Sequence, residues 1–308
     1  MTLILQTNDQ QLKDIESFAM GITRKAGAIL LEHFQKPLDI QYKSKDGTNP
    51  VTDADKHSES FLKEAILKAY PDHAILAEEG SQVEAKQSDY VWVIDPLDGT
   101  VNFLNGLPIF AVSVGVLYRG RPAVGCIFLP SATSAQGCVY HARTGGGAFR
   151  DEEPISVVTS SSPEKGRITV FPRAFAQHFR MKKGYKGKVG ELRSPGSVAY
   201  EVAMTASGVV QYAVYSSPWV WDVSGGIVLV REAGGVVRFR SGRDGRGWRP
   251  FEGFVDGEGR PLGLSELKKW RTSWFFGGEG MAEFVTSHMS PRTRVELAAS
   301  RWMRRMFS

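Results

Sequence analysis

The feature that most limits how this chain can fold is a pair of apolar runs that each end in acid. Ala74-Ile75-Leu76-Ala77 stops at Glu78-Glu79-Gly80, and the β-like run Tyr90 to Ile94 stops at Asp95-Pro96-Leu97-Asp98-Gly99-Thr100. Both have the length and composition of short buried strands. Four carboxylates then stand at the carboxyl ends of neighbouring β segments, where the sites of open α/β sheets lie. Clustered carboxylates repel one another and destabilise a fold unless a cation shares them. Hard oxygen ligands select Mg²⁺, Mn²⁺ or Ca²⁺ over zinc or copper. Pro96 stiffens the backbone between the two aspartates. A helix or tight turn starting at Gly99-Thr100 presents free N–H groups to an anion. Either half alone reads as an ordinary turn or a solvated acid pair. Together, each after an apolar run, they point to metal-assisted phosphoryl chemistry.

The 308 residues, 42% hydrophobic and 23% charged, suit one large globular domain or two closely joined ones. No apolar stretch approaches the roughly 18 residues of a membrane span. Met1–Gln6 carries neither a basic region nor a long apolar one, so no secretory signal is expected and a cytoplasmic enzyme is the default. Cys126 and Cys138 are the only cysteines, which excludes a disulfide framework and a cysteine-built zinc site. Both are expected to be small buried hydrophobes. The net charge of +5 is concentrated between Pro291 and Ser308, where five arginines face one glutamate. Val295, Ala299, Trp302, Met303 and Met306 recur there at helical spacing. The expectation is a C-terminal helix packed on the body or on a subunit partner; nucleic-acid contact through this tail is the alternative.

The periodicity predicts a long amphipathic helix from Asp9 to Phe34 and a second, capped by Thr52 or Asp53, to about Tyr70. A meander Phe110–Tyr118, Pro122–Leu129 and Gln136–His141 follows, and Gly145-Gly146-Gly147 closes this half. Strands and helices then alternate: strand Arg167–Phe171, helix Ala174–Met181, helix Ser197–Ser207, strand Val209–Tyr215, helix Trp221–Ala233 and strand Gly235–Phe239. Ser241–Gly263 reads as an extended loop or hairpin. The expected units are an N-terminal α+β half (1–155), a C-terminal α/β half that completes the site (156–290) and the basic tail (291–308).

Trp92-Val93-Ile94-Asp95-Pro96-Leu97-Asp98-Gly99-Thr100-Val101-Asn102-Phe103 resembles the signature of the inositol monophosphatase family. Two further segments, Lys45 to Asp55 and Trp221-Asp222 through Gly234-Gly235, resemble that family's other motifs in the same order and spacing. The resemblance covers roughly residues 10 to 240 and, more loosely, to 285. It implies an α+β layered α-β-α-β-α sandwich of the inositol monophosphatase and fructose-1,6-bisphosphatase type, with the site between the halves. It also implies a Mg²⁺-dependent, lithium-sensitive phosphatase with two or three ions per site, Mn²⁺ being an alternative metal, and a homodimer. By the same resemblance, Glu78, Asp95 and the Leu97 carbonyl hold the first ion, and Asp95, Asp98 and Asp222 the second. Glu79 orients water near a weaker third ion, and Thr100 with Asp55 helps activate the attacking water. Gly99 and Thr100 receive the phosphate, Lys45 (or Lys43) is the loop lysine, and Gly196-Ser197 is the substrate-contacting turn. Four ligand carboxylates and two Mg²⁺ leave a near-neutral pocket that a phosphate dianion can enter.

Two departures concern the substrate. Ser224-Gly225 stand where the family commonly has two alanines, and both are small enough to keep that helix closely packed against the phosphate-binding turn at Asp98–Thr100. Tyr215 stands where members favouring inositol phosphates carry a glutamate. With Trp219 it reads either as an aromatic wall over the leaving group or as the end of a core strand. The expected function is hydrolysis of a small polyol- or sugar-phosphate, a small phosphorylated metabolite. Fructose 1,6-bisphosphate, histidinol phosphate and 3′-phosphoadenosine 5′-phosphate are alternative substrates, and a non-catalytic role with RNA or the transcription machinery is the alternative class.

Overall fold

The computed structural model describes residues 9–42, 50–80, 82–84, 88–171, 179–185, 187–241 and 247–291. The chain begins with α1 (Asp9–His33), and a short ribbon of β1 (Ile40–Tyr42) and β2 (Pro50–Thr52) leads into α2 (Asp53–Ala69). Thr52 and Asp55 start α2 with a reciprocal capping box: the Thr52 hydroxyl accepts from the Asp55 N–H, and the Asp55 carboxylate accepts from the Thr52 N–H.

A seven-stranded sheet follows, in the order β3 (Ala74–Ala77), β4 (Tyr90–Asp98), β5 (Ala111–Tyr118), β6 (Arg121–Leu129), β7 (Cys138–Arg143), β8 (Ala148–Arg150) and β9 (Glu153–Pro154). β3 and β4 are parallel with Ala77 opposite Ile94, and the remaining pairs are antiparallel. The acid-bearing ends of β3 and β4 are therefore neighbours. Between them and β5 lies α3 (Thr100–Leu104).

The second sheet has the order β12 (Glu191–Arg193), β10 (Ile168–Val170), β13 (Val210–Tyr215), β16 (Trp274–Gly277), β14 (Val236–Ser241) and β15 (Gly247–Pro250). α4 (Val198–Ala206) and α5 (Val220–Glu232) lie between the two sheets. α1 and α2 cover the outer face of the first sheet, and α7 (Glu279–His288) covers that of the second. The layers run α-β-α-β-α. Side chains alternate accordingly: on β13, Ala213 and Tyr215 face the central layer while Tyr212 and Val214 face α7. α6 (Leu264–Lys269) precedes β16 and anchors Leu267 in the central core.

Several expectations need correction. The strand from Tyr90 does not stop at Ile94 but runs through Asp98, with its register against β5 shifting between Asp95 and Asp98. Pro96 is tolerated because the irregularity removes the demand for its missing N–H. Gly145-Gly146-Gly147 does not end the first sheet. Gly145 and Gly147 have φ of 78° and 81° and turn the chain into β8, their N–H groups donating to Glu232. The helix expected over Ala174–Met181 ends instead in β11 (Phe179–Met181), which pairs with β17 (Met289–Pro291). Residues 174–178 lie outside the described residues. That ladder joins segments some 110 positions apart, which local periodicity does not register. Ser241–Gly263 contains β15, which pairs antiparallel with β14. The helix expected in the tail falls outside the described residues beyond 291. Cys126 and Cys138 are both buried, and no described helix is long and apolar enough to cross a membrane.

α5 sits unusually close to the first sheet. A Cβ on Gly125 would meet the Gly225 carbonyl oxygen at 2.0 Å, and one on Gly115 the Ser224 hydroxyl at 2.6 Å. The small residues of α5 thus pack against β5 and β6, not against the Asp98–Thr100 turn. Gly125→Ala is expected to lower unfolding free energy by about 1–3 kcal/mol through overpacking. Gly21→Ala, exposed on α1 with nothing within 4 Å of its Cβ, is expected to raise it by about 0.5–1 kcal/mol. Urea titration of both variants measures the difference.

Candidate active site

Asp95 and Asp98, on the last residues of β4, meet Asp222 in the first turn of α5. Each offers a carboxylate oxygen, and the three oxygens lie within 4.8 Å of one another. Asp95 is buried, while Asp98 and Asp222 keep an opening to solvent. Among the described residues none of the three is ion-paired with a lysine or arginine. The Leu97 N–H donates to Asp95 at 3.1 Å, the Trp219 N–H to Asp222 at 2.8 Å, and the Ser197 hydroxyl and Ala199 N–H to Asp98 at 2.7 and 2.6 Å.

These bonds do not satisfy the charge. Burial first, then the charges of Glu78, Asp98 and Asp222, push the Asp95 carboxyl well above the usual range. Burial first, then Asp98, does the same to Asp222. Asp98 is pushed up to about 6 by burial, against the hydrogen bonds from Ser197 and Ala199. A compact, oxygen-only, uncompensated donor set is what a hard divalent cation fits. Glu78, at the end of β3, flanks this cluster and acts on all three aspartates electrostatically. Glu79 faces a cleft of about 640 Å³ that Glu78 also lines, and its N–H is held by Glu59 at 2.8 Å.

Asp55 and Thr100, paired by the family resemblance, lie close together. The Thr100 hydroxyl lies 3.1 Å from the Leu97 carbonyl and 3.4 Å from Asp55 Oδ1. Asp55 is pushed up to about 6, by burial first and with Glu78 adding to it, although the Thr52 hydroxyl and N–H stabilise its charge. Gly99 takes φ 91°, and a Cβ there would press on the Ile109 carbonyl at 2.9 Å and Ser197 Cβ at 3.0 Å. Only glycine turns β4 into α3 at that spacing. Asn102 bridges the Ile109 and Pro195 carbonyls, both at 2.8 Å, and so holds the Gly196-Ser197 turn beside α3. Lys43 and Lys45 lie outside the described residues.

Two placements bear on the substrate side: Ser197 is turned inward, and of the two readings of Tyr215 the structure supports the end of a core strand. Ser197 is buried and spends its hydroxyl on Asp98 while capping α4. Tyr215 is 4% exposed and packs edge-on against Phe276, so it does not form a wall over the cleft. The side chains of β13 alternate, and position 215 faces the central layer. Its hydroxyl lies beside Glu201, a residue the motif reading missed. Glu201 is pushed up to about 7 by burial, against the bond it accepts from the Gly196 N–H at 2.8 Å. A glutamate four residues after the capping serine, on the inward face of a helix, was the available signal.

Residues 11–266 match the model of the inositol monophosphatase family. Among curated relatives, a "Fructose-1,6-bisphosphatase/inositol-1-monophosphatase" of Aquifex aeolicus is 36% identical over 232 residues, 74% of this chain and 86% of that protein. A "Nus factor SuhB" of Pasteurella multocida is 34% identical over 226 residues, 72% of this chain and 83% of that protein. The solved extragenic suppressor protein suhB of Bartonella henselae superposes with TM-score 0.70 at 25% identity, covering 89% of this chain and 98% of that one. The IMPase of Thermotoga maritima gives 0.66 at 26% identity, covering 89% and 95%. The chain belongs to the inositol monophosphatase family, a family of phosphatases.

The raised carboxyl pKa values make stability depend on pH with a definite sign. Asp carboxyls ionise near ~3.9 in an unfolded chain, whereas Asp55 and Asp98 do so near about 6 in the fold. The folded state holds these protons longer, so their contribution is complete below the lower value and lost as pH rises through the upper one. In EDTA, the stability contribution of these groups is expected to fall from pH 4 to pH 7, and added Mg²⁺ to raise Tm at pH 7.5 more than at pH 5. An equal Mg²⁺ effect at both pH values contradicts the assignment.

Proposed function

We propose that the chain hydrolyses a small polyol- or sugar-phosphate at the Asp95–Asp98–Asp222 cluster, with Mg²⁺ as cofactor. The observation that carries this reading is the unpaired acid cluster beside the Gly99-Thr100 turn. Glu78, Asp95, the Leu97 carbonyl, Asp98 and Asp222 would hold the metal, with Glu79 serving a weaker ion. Bound there, Mg²⁺ supplies charge for the phosphate and lowers the pKa of water.

The chain's own residues handle the proton. Asp55, fixed by Thr52 and poised near 6, is the base at the end of the Thr100 hydroxyl. The attacking water bonds to phosphorus and gives its proton by way of the Thr100 oxygen to Asp55. The bond from phosphorus to the ester oxygen breaks, and that oxygen takes a proton from solvent, leaving an alcohol and inorganic phosphate. Gly99 and Thr100 N–H groups orient the phosphate, and Ser197 and Gly196 act from behind by holding Asp98 and Glu201. Tyr215 serves as a support for Glu201, not as a substrate contact. Lys45 belongs to the same reading as a substrate-binding residue, as do a homodimer, a cytoplasmic location and lithium sensitivity.

Relatives named Nus factor SuhB support a second reading, contact with RNA or the transcription machinery. Deleting residues 291–308 separates the two. Phosphatase activity persists without the tail, whereas RNA binding with a salt-dependent affinity is lost if the tail carries it.

Phosphate release is to be measured on inositol 1-phosphate, fructose 1,6-bisphosphate, histidinol phosphate and 3′-phosphoadenosine 5′-phosphate, with and without Mg²⁺. Turnover is expected only with metal. Asp95→Asn is expected to reduce it at least about 100-fold, since a ligand matters more than the outer partners that cost 10–100-fold. Undiminished turnover in Asp95→Asn removes the assignment.

A further inference from the structure

The aromatic wall of Tyr215 and Trp219, one of the two readings of the sequence, is not formed, because Tyr215 is buried against Phe276. Trp219 is 40% exposed, and its N–H holds Asp222. Its ring lies parallel to Trp221, with centroids 5.1 Å apart and planes at 14°. The Arg271 guanidinium carbon sits 3.7 Å from the same Trp219 ring centroid. A guanidinium centred that closely leaves no room for a second ring on its face, so Trp221 and Arg271 occupy opposite faces. Neither face of Trp219 is free to stack on a substrate. The outermost layer is a cation.

Arg271 is held in place. The ring fixes its plane, and its Nε donates to the Ser217 hydroxyl at 3.1 Å. Its two terminal nitrogens have no hydrogen bond or ion pair among the described residues. Trp219 links the guanidinium to the acid cluster, since its N–H donates to Asp222 while its ring carries Arg271. Beyond it opens a cavity of about 580 Å³ that Arg240, Lys269, Glu266 and Trp270 also line, three cations with Arg271 against one acid. A planar fork with two unused donors is the arrangement that binds a carboxylate or phosphate bidentately. A neutral polyol offers it nothing to match that charge.

We propose that Arg271, stacked on Trp219, recognises a second anionic group on the leaving alcohol, so that the chain prefers phosphomonoesters that carry another phosphate over those of neutral polyols. The proposal rests on the phosphatase reading above and names the substrate class for that site. Arg271 is a specificity residue here, and the acid cluster remains the reacting centre.

The test compares three probes in wild type, Arg271→Gln and Arg271→Lys. Fructose 1,6-bisphosphate has a second phosphate and no base, 2′-AMP has a base and no second anion, and glycerol 2-phosphate has neither. The ratio of kcat/KM for the bisphosphate to that for glycerol 2-phosphate is expected to fall about tenfold in Arg271→Gln, mostly through KM, and to recover partly in Arg271→Lys, which keeps charge but not the fork. A ratio unchanged while both rates fall together overturns the proposal and assigns Arg271 to Asp222 alone. A larger loss on 2′-AMP than on the bisphosphate overturns it in favour of base stacking. Binding of the same probes with Ca²⁺, read by tryptophan fluorescence, separates the two layers of inference. If wild type hydrolyses none of them but binds the bisphosphate in an Arg271-dependent way, the anion site stands and the phosphatase reading falls. Binding indifferent to Arg271 removes the anion site whatever the turnover.

Discussion

Asp95, Asp98 and Asp222 carry charges that the apolar interior around them opposes, and the structure is arranged around that repulsion. Among the described residues no lysine or arginine forms an ion pair with them. Main-chain N–H groups and one serine hydroxyl supply partial charge only, and their donors come from three separate elements: the end of β4, the first turn of α4 and the first turn of α5. The carboxyls consequently stay reluctant to ionise, and a divalent cation is the natural completion of the set. Asp98 has a second duty, since it accepts from Ser197 and Ala199 and so ties the first sheet to the helix layer supplied by the second half. The cluster is a joint between the two halves as well as the proposed reaction centre.

Holding that joint requires a close approach between α5 and the first sheet. The Gly125–Gly225 and Gly115–Ser224 contacts leave no space for a side chain, and Gly226 packs on Val202 of α4 in the same way. Asp222, at the start of α5, is brought to Asp95 only because the helix can lie this low on β5 and β6. Packing of small residues and placement of a ligand are thus one event, and loss of either propagates to the other.

The reacting and the selecting sides of the pocket are built differently. On the side of Thr100, the capping box of α2 doubles as the support for Asp55, so the device that starts a helix also fixes the carboxylate proposed as the base. On the selecting side, Trp219 joins both roles: its main chain orients Asp222 and its ring carries Arg271. Tyr215 has withdrawn into the core beside Glu201, and the exposed layer over Trp219 is a cation, Arg271, from the segment between α6 and β16.

Much of this was legible in the residues. The ligands of β4 and the turn that follows are contiguous, from Asp95 to Thr100, so their spacing is a property of one strand end and survives any packing. The capping box at Thr52 and Asp55 and the periodicity of α1 and α2 are equally local. Pairings of distant segments were not legible: β11 with β17, Glu201 under Tyr215, and Arg271 on Trp219. Tyr215 illustrates the limit, because a strand-end aromatic reads alike whether its face of the sheet meets solvent or another layer. The sequence by itself determined that Asp95 and Asp98 stand together at one strand end, and tertiary packing brought Asp222 to them. Only the tertiary structure decided what stands opposite the leaving group, because that surface is assembled from residues more than fifty positions apart, brought together by sheet order and not by spacing.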